Sequence, residues 1–599
     1  MIAVAIAGCA CSFHPPEAGG FNQVTVICNT FGYEGLYAHR AWVALAQDLS
    51  ASGVAALRLD YPGQGDSVDL PQDAQAVSAW LGSLGDAIAW VRQQFPGVAV
   101  SLVGYRLGAL LAAEVAVLTP GLAAVVLLAP VLSGKNYVRE ITLATGIAPA
   151  GAMQSGVLQA GWWLSMASLD ALATLDLKHL DGHADFDVLA ITDGSSRVVG
   201  RLLDTLLQQQ ASRQFTLADG ADLQSLRADA HAAMVPEGSF ATVARWLAAR
   251  PLPGAKTFDA TALSLPPARL IAPGLVELPQ RFGPQQRYFG ITTQPAAVLS
   301  DCTCLLILNT GGNPRSGHNR LSVGLARELA RQGIASFRID LTGTGDTLPV
   351  ERGRNQALYG CAPVGDVSAA IDYLEAQGWR EIAVFGICSG AYLGLQAAIE
   401  EPRIKRLLMV NSQSFLWTGP PFGTEAEDSA AARKGVELGH LSRYRRIVFT
   451  ADFWRRLARN EVRVAGVLRK LAATLALRLA SAMQTRLPGW LVLAPRAAQV
   501  QRNFQALARR KLPILLAYSD TDPGLNELQA CFGRGGQRLV RQAGVSIEIF
   551  AGADHTFTRP DTAGSLIQTV TQFLQQPAPK AGAFSAHADR ADLPGKAVK

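Results

Sequence analysis

The 599-residue chain has no apolar run long enough to span a bilayer; its longest, LAAVVLLAPVL from Leu122 to Leu132, is about half the length a crossing helix needs. Its eight cysteines fit no zinc spacing and no disulfide framework, so a reducing cytoplasm is the expected compartment. Cys9/Cys11 and Cys302/Cys304 are C-x-C pairs, which on a strand face one side. The run IAGC, Ile6 to Cys9, imitates a lipoprotein cleavage site but lacks the basic region and the long apolar segment that should precede it. It is read here as part of a strand. Nucleotide signatures are missing too. GTGDTL puts Leu348 where a dinucleotide fingerprint needs its third glycine, and Ala129 stands where a phosphate loop leading to Gly134-Lys135 needs its first. What the chain does have is 49% hydrophobic against 17% charged residues, the balance of a globular protein, and a length that calls for more than one core.

The chain also repeats itself. Asn29-Thr30 recurs as Asn309-Thr310, and Arg40 as Arg320. VAALRLDYPGQGDS from Val54 recurs as IASFRIDLTGTGDT from Ile334, which aligns Arg58 with Arg338, Asp60 with Asp340 and Asp66 with Asp346. All these pairs lie 280 residues apart, and two strand-to-helix turns, GYRLG and GICSG, place Arg106 and Cys388 282 apart. A constant offset over so long a unit means two whole domains in tandem. Each copy alternates β-branched-rich runs with helical segments, the pattern of a mostly parallel sheet flanked by helices. In the second copy the strands are expected at 305–309, 335–340, 382–385, 406–410, 514–518 and 546–550. The expected division is residues 1–255 with a helical cap at about 132–184, residues 256–576 with a cap at about 418–510, and a disordered tail at 577–599.

Two functional readings compete at Cys388. Cysteine is among the most buried residue types, so an inert core thiol is the default for a lone one. Here, however, Gly386 and Gly390 flank it in the G-x-S-x-G frame of a nucleophile elbow, after the strand EIAVF and before a helix. At a helix N-terminus a thiol is more acidic, and a neighbouring histidine adds to the effect. An acid and a histidine must follow in that order. Asp522, or as the alternative Asp520, lies in LLAYSDTDPGLNE, and His555 lies in GADHTF. The expected triad is Cys388, His555 and Asp522, with oxyanion donors from the Ser389 N–H and from the NTGGNP loop at Gly311 or Gly312. Ser389 itself sits one place past the apex and is not favoured as nucleophile.

Both copies resemble α/β-hydrolase domains. The second, with GICSGA, FRIDLTGTGDT and GADHTF, is similar to esterases and serine-aminopeptidase-like hydrolases, and its apex cysteine is similar to that of dienelactone hydrolases. The first, with FHPP, NTFGYEG and GYRLGA, resembles hydrolase-like proteins associated with bacterial exosortase and exopolysaccharide loci. The resemblance implies ester, thioester or acyl-transfer chemistry with neither metal nor cofactor. The first copy departs from it at every functional position. Arg106 holds the apex, Leu223 aligns with His555, and Ser195 aligns with Asp522, leaving Asp193 opposite Asp520. The expectation is a degenerate first domain, whose Arg106 either takes an anion or pairs with a nearby acid.

One charge asymmetry remains. Residues 430–511 carry 18 Lys/Arg and three acids, while the whole chain is only +6. That suggests an anionic partner at the second cap: an acyl carrier, a polysaccharide, a membrane surface or a phosphorylated substrate, with nucleic acid less favoured. The expectation is a cysteine hydrolase of a small-molecule or carrier-bound acyl substrate. The alternatives are an acyltransferase using the same triad and a non-catalytic scaffold.

Overall fold

The computed structural model describes the chain except for residues 18, 72, 146–155, 160, 181–185, 195–200, 202–204, 206–214, 229–232, 297–302, 350–362, 418–494, 543 and 577–599. By packing, the chain forms two compact units. One is Met1–Gln356 with Gly365–Arg380 and Phe557–Ile567; the other is Ala357–Val364 with Glu381–Thr556 and Gln568–Lys599.

The first copy opens with β1 (Ile2–Ile6) and β2 (Cys9–His14), then β3 (Gln23–Cys28), α1 (Gly32–Ala51), β4 (Ala55–Leu59), α2 (Ala76–Gln94) and β5 (Ala99–Tyr105). It continues with α3 (Leu107–Leu118), β6 (Ala124–Leu128), α4 (Gly134–Thr145), β7 (Asp187–Thr192) and β8 (Phe215–Asp219). The eight strands form one sheet in the order β1-β2-β4-β3-β5-β6-β7-β8. From β4 onward neighbouring strands are parallel; β1 and β2 join antiparallel at the edge, with Cys11 opposite Leu59. Strands β3, β4 and β6 are buried at every residue, as expected of a sheet covered on both faces.

Of the run Ile6 to Cys9, read above as part of a strand, Ile6 ends β1 and Cys9 begins β2, with a turn at Ala7-Gly8 between them. Ala7 and Gly8 both have positive φ, 46° and 81°, and they reverse the chain between β1 and β2. Cys9 and Cys11 do share a face of β2, and both are buried. The Pro-rich stretch 251–267 makes one strand pairing. Phe258–Asp259 pairs antiparallel with Gly20–Phe21, and the Phe258 ring meets those of Phe21 and Phe95. Between β6 and β7 the first cap is built of α4, a hairpin of Gly156–Gln159 with Trp162–Ser165, and a helix, Met166–Thr174.

In the second copy β9 (Leu270–Ala272), β10 (Leu275–Phe282), β11 (Tyr288–Pro295), β12 (Thr303–Ile307), α5 (Leu321–Arg331) and β13 (Ala335–Asp340) lead to α6 (Val364–Ala376). Then come β14 (Glu381–Ile387), α7 (Ser389–Glu400), β15 (Ile404–Val410), α8 (Pro495–Arg509), β16 (Ile514–Ser519), β17 (Val545–Phe550) and α9 (Pro560–Gln575). Its strands run β9-β10-β11-β13-β12 in the first unit and β14-β15-β16-β17 in the second. The plan of the first copy therefore recurs, with β10 and β11 in the places of β1 and β2.

The duplication extends to atoms. A Cβ on Gly65 would lie 2.0 Å from the Asp60 carboxylate, and one on Gly345 would lie 2.2 Å from that of Asp340. In each turn the aspartate accepts the N–H six residues on, Asp66 to Asp60 at 3.0 Å and Asp346 to Asp340 at 2.9 Å. The second cap's basic clusters lie outside the described residues; α8, at its end, is within them.

Candidate active site

Strand β14 is buried from Ile382 to Ile387, and the chain then turns within one residue into α7. That residue is Cys388, at φ 56° and ψ −114°. A β-carbon disfavours this conformation by about 1 kcal/mol or more, so the fold must impose it. It does so by close packing. A Cβ on Gly386 would lie 2.2 Å from the carbonyl of Gly390, so only glycine allows strand and helix to approach there. The Cys388 N–H donates to the Val410 carbonyl at 2.9 Å, tying the apex to β15. Ser389 is the first helical residue and is buried, which leaves the apex side chain as the one presented.

The other two members lie on loops at the carboxyl ends of β16 and β17. Asp522 is 4% exposed, and its Oδ1 accepts the Gly524 N–H at 2.7 Å. Its Oδ2 meets His555 Nδ1 at 2.5 Å. The same imidazole hydrogen-bonds the Cys388 side chain. With Nδ1 engaged by the carboxylate, Nε2 is the atom left to face sulfur. Burial pulls the His555 pKa down, but the bonds to Asp522 and Cys388 outweigh it and raise the value to about 10. Asp520 is exposed and accepts the Gly552 N–H at 3.2 Å. Gly311 and Gly312 lie on the loop after β12, in the first compact unit, with Gly311 at φ 58°.

Asn411 has no place in the sequence reading, yet it organises this site. It sits at φ 46° just past β15, accepts the Ser519 N–H at 2.8 Å and donates Nδ2 to the His555 carbonyl at 2.7 Å. One side chain thus sets the spacing between the acid's strand and the histidine's loop. The available signal was an asparagine directly after a strand, a residue that tolerates left-handed backbone.

Cys388 also differs from the other thiols. Of the six described cysteines it alone is not buried. Burial pushes the Cys9 thiol up to about 11 and Cys531 up to about 12, and drives Cys28 and Cys304 higher still. Those four are packing residues.

The first copy keeps the elbow with an arginine at its apex. Arg106 has φ 48° and ψ −113°, the conformation of Cys388, and a Cβ on Gly104 would lie 2.2 Å from the Gly108 carbonyl oxygen. The Arg106 side chain is buried between two carboxylates, Glu34 at 2.6 Å and Glu140 at 2.7 Å. The guanidinium is therefore paired within its own domain. Leu223 is fully buried, and Asp193 pairs with Arg227 at 3.0 Å. Ser195 lies outside the described residues.

Two sheets of this plan with an elbow at each define an α/β-hydrolase fold, and comparison with known proteins agrees. The serine aminopeptidase S33 family model matches residues 33–212, and the alpha/beta hydrolase family model matches residues 305–563. The chain is a tandem α/β-hydrolase-fold protein, of hydrolase type. Among solved structures it is similar to Est1E from Butyrivibrio proteoclasticus, bound to ferulic acid, at 16% identity over 41% of this chain and 98% of that one, with a TM-score of 0.32. It is also similar to a dienelactone hydrolase from Anabaena variabilis, at 14% identity over 49% and 97%, with a TM-score of 0.29. An α/β serine hydrolase homologue from Coxiella burnetii gives 16% identity over 41% and 97%, with a TM-score of 0.28. No curated protein sequence matches the chain. Among the described residues, no helix is long and apolar enough to cross a membrane.

Proposed function

We propose that the second domain hydrolyses an ester or thioester through an acyl-cysteine intermediate, with Cys388 as nucleophile, His555 as proton carrier and Asp522 as its orienting acid. The observation that carries this reading is the single imidazole bonded on one side to a buried carboxylate and on the other to a thiol at a strained elbow. His555 Nε2 takes the thiol proton, and sulfur adds to the acyl carbonyl. The Ser389 N–H stabilises the oxyanion. As the tetrahedral species collapses, the same proton passes to the leaving alcohol or thiol. Water, deprotonated by His555, then releases the acid and regenerates the thiol. Asp522 keeps the imidazole in the tautomer this sequence needs.

The raised histidine pKa supports a resting thiolate–imidazolium pair. The bond between His555 and Cys388 is one of the causes that raise the histidine, as a paired imidazolium requires. Alkylation of Cys388 by iodoacetamide should therefore stay fast at pH 6, where a free thiol of pKa about 8.5 has slowed by roughly 300-fold. His555→Ala should return Cys388 to ordinary thiol behaviour. An ordinary titration profile in the wild-type protein would sink the mechanism.

The first domain, on this reading, takes no part in the chemistry. Arg106→Ala should leave the acylation burst within about twofold of wild type. It should nonetheless destabilise the protein by about 3 kcal/mol, because Glu34 loses its buried partner. Loss of the burst with the fold intact, measured by stopped-flow alongside thermal unfolding, would overturn the division of labour.

A further inference from the structure

The repeated arginines and aspartates pair across the copies. Arg58 of the first copy reaches Asp346 of the second, and Arg338 of the second reaches Asp66 of the first. These are the same two positions exchanged, as in the isologous interface of a symmetric dimer. All four side chains are buried, at 8% exposure or less, and all lie in one compact unit. Buried ion pairs add little net stability, but they fix which surfaces meet.

The symmetry is broken in one direction. Arg315, on the loop that follows β12, bonds Asp66 at 2.8 Å as well as Asp340 at 2.6 Å and Asp346 at 2.9 Å. The first-copy residue 280 positions earlier is Gly35, which has no side chain to return the contact. Arg327 likewise takes the Asp66 and Ser67 carbonyls and the Asp69 carboxylate, and its counterpart is Gln47. The Arg315 N–H donates to Asp340 Oδ1 at 2.7 Å, and Asn309 Nδ2 bonds both Asp340 and the Asn313 carbonyl. The loop from Asn309 to Arg315 thus hangs on carboxylates, one of which belongs to the other copy.

We propose that the first copy serves as a fused partner of the second: through a surface built like a symmetric dimer interface, Asp66 grips Arg315 and fastens the Asn309–Arg315 loop. The degenerate domain retains its fold because that surface is needed, not because its own elbow is.

Amide hydrogen exchange on the full chain tests this. Asp66→Asn should speed exchange of the Asn313 and Arg315 amides by about tenfold or more, while β5 and β16 keep their protection. Arg315→Gln should loosen the same amides further, since it also gives up Asp340 and Asp346, and the double variant should do no more than Arg315→Gln alone. Arg58→Gln, which breaks the reciprocal pair and reaches Arg315 only through their shared partner Asp346, should loosen the loop less than Asp66→Asn. Equal loosening by Arg58→Gln, additive effects, or unchanged exchange in Asp66→Asn would each overturn the proposal. If Asp66→Asn fails to fold, Asp66→Glu keeps the charge and should loosen only this loop; no change there would count against the proposal. The loop also carries Gly311 and Gly312, but the proposal does not depend on their oxyanion role. A loosened loop with unchanged acylation rate would remove that role and leave the fused-partner assignment supported.

Discussion

Cys388→Ala should lower kcat/KM on a short-chain thioester or ester by at least about 10⁴-fold, since removing a triad nucleophile forfeits nearly all the chemistry that the triad performs. The fold should survive, because the apex side chain is only partly buried and its glycine frame is untouched. Wild-type protein quenched during turnover should carry one acyl group on Cys388 by intact-mass and peptide analysis, and the variant none. The choice of cysteine rather than serine makes a second demand. A thiol gives up its proton to an imidazole far more readily than a serine hydroxyl does, so the nucleophile formed at this elbow is tuned to sulfur. Cys388→Ser should therefore lose more than about tenfold instead of behaving as a conservative change. Full activity in Cys388→Ala would leave the second domain without its assigned nucleophile and would favour a non-catalytic role.

Much of this site is legible in sequence because its geometry is local. A sharp strand-to-helix turn writes glycines at fixed offsets, and buried parallel strands write apolar runs. The strand expected at 335–340 matches Ala335–Asp340, and the other five second-copy strands differ by at most two residues at either end. What stays hidden depends on partners far away in the chain. The antiparallel strands β1, β2 and β9–β11 lie at the antiparallel end of each copy, where their pairing partners are set by tertiary structure, and β1 and β2 blur across Ala7-Gly8 because both sides of the turn are apolar. Arg58 and Arg338 advertise the repeat, yet nothing near either of them says that its carboxylate comes from the other copy. Asn411 was missed for the same reason, since its partners are Ser519 and His555, over 100 residues on.

The acid separates the two carboxylates of the SDTD run. Asp522→Asn should lower kcat by about 10⁴-fold with little change in KM, because an amide can hold the ring in place but favours the wrong tautomer and cannot balance an imidazolium. Asp520→Asn should stay within about threefold, since that carboxylate is exposed and its contact is the Gly552 N–H. The contrast follows from environment rather than from chain order. Asp522 is 4% exposed with both oxygens engaged, one by the Gly524 N–H and the other by His555, so it is fixed before substrate arrives. A pH profile adds a readout that a merely structural aspartate would not give. With Asp522 replaced, one of the two bonds that raise the His555 pKa is gone, and the thiolate–imidazolium pair should form over a narrower range. Alkylation of Cys388 in Asp522→Asn should then fall off at a higher pH than in wild type. Asp520→Asn should overlay the wild-type curve, and the reverse pattern would move the acid to Asp520.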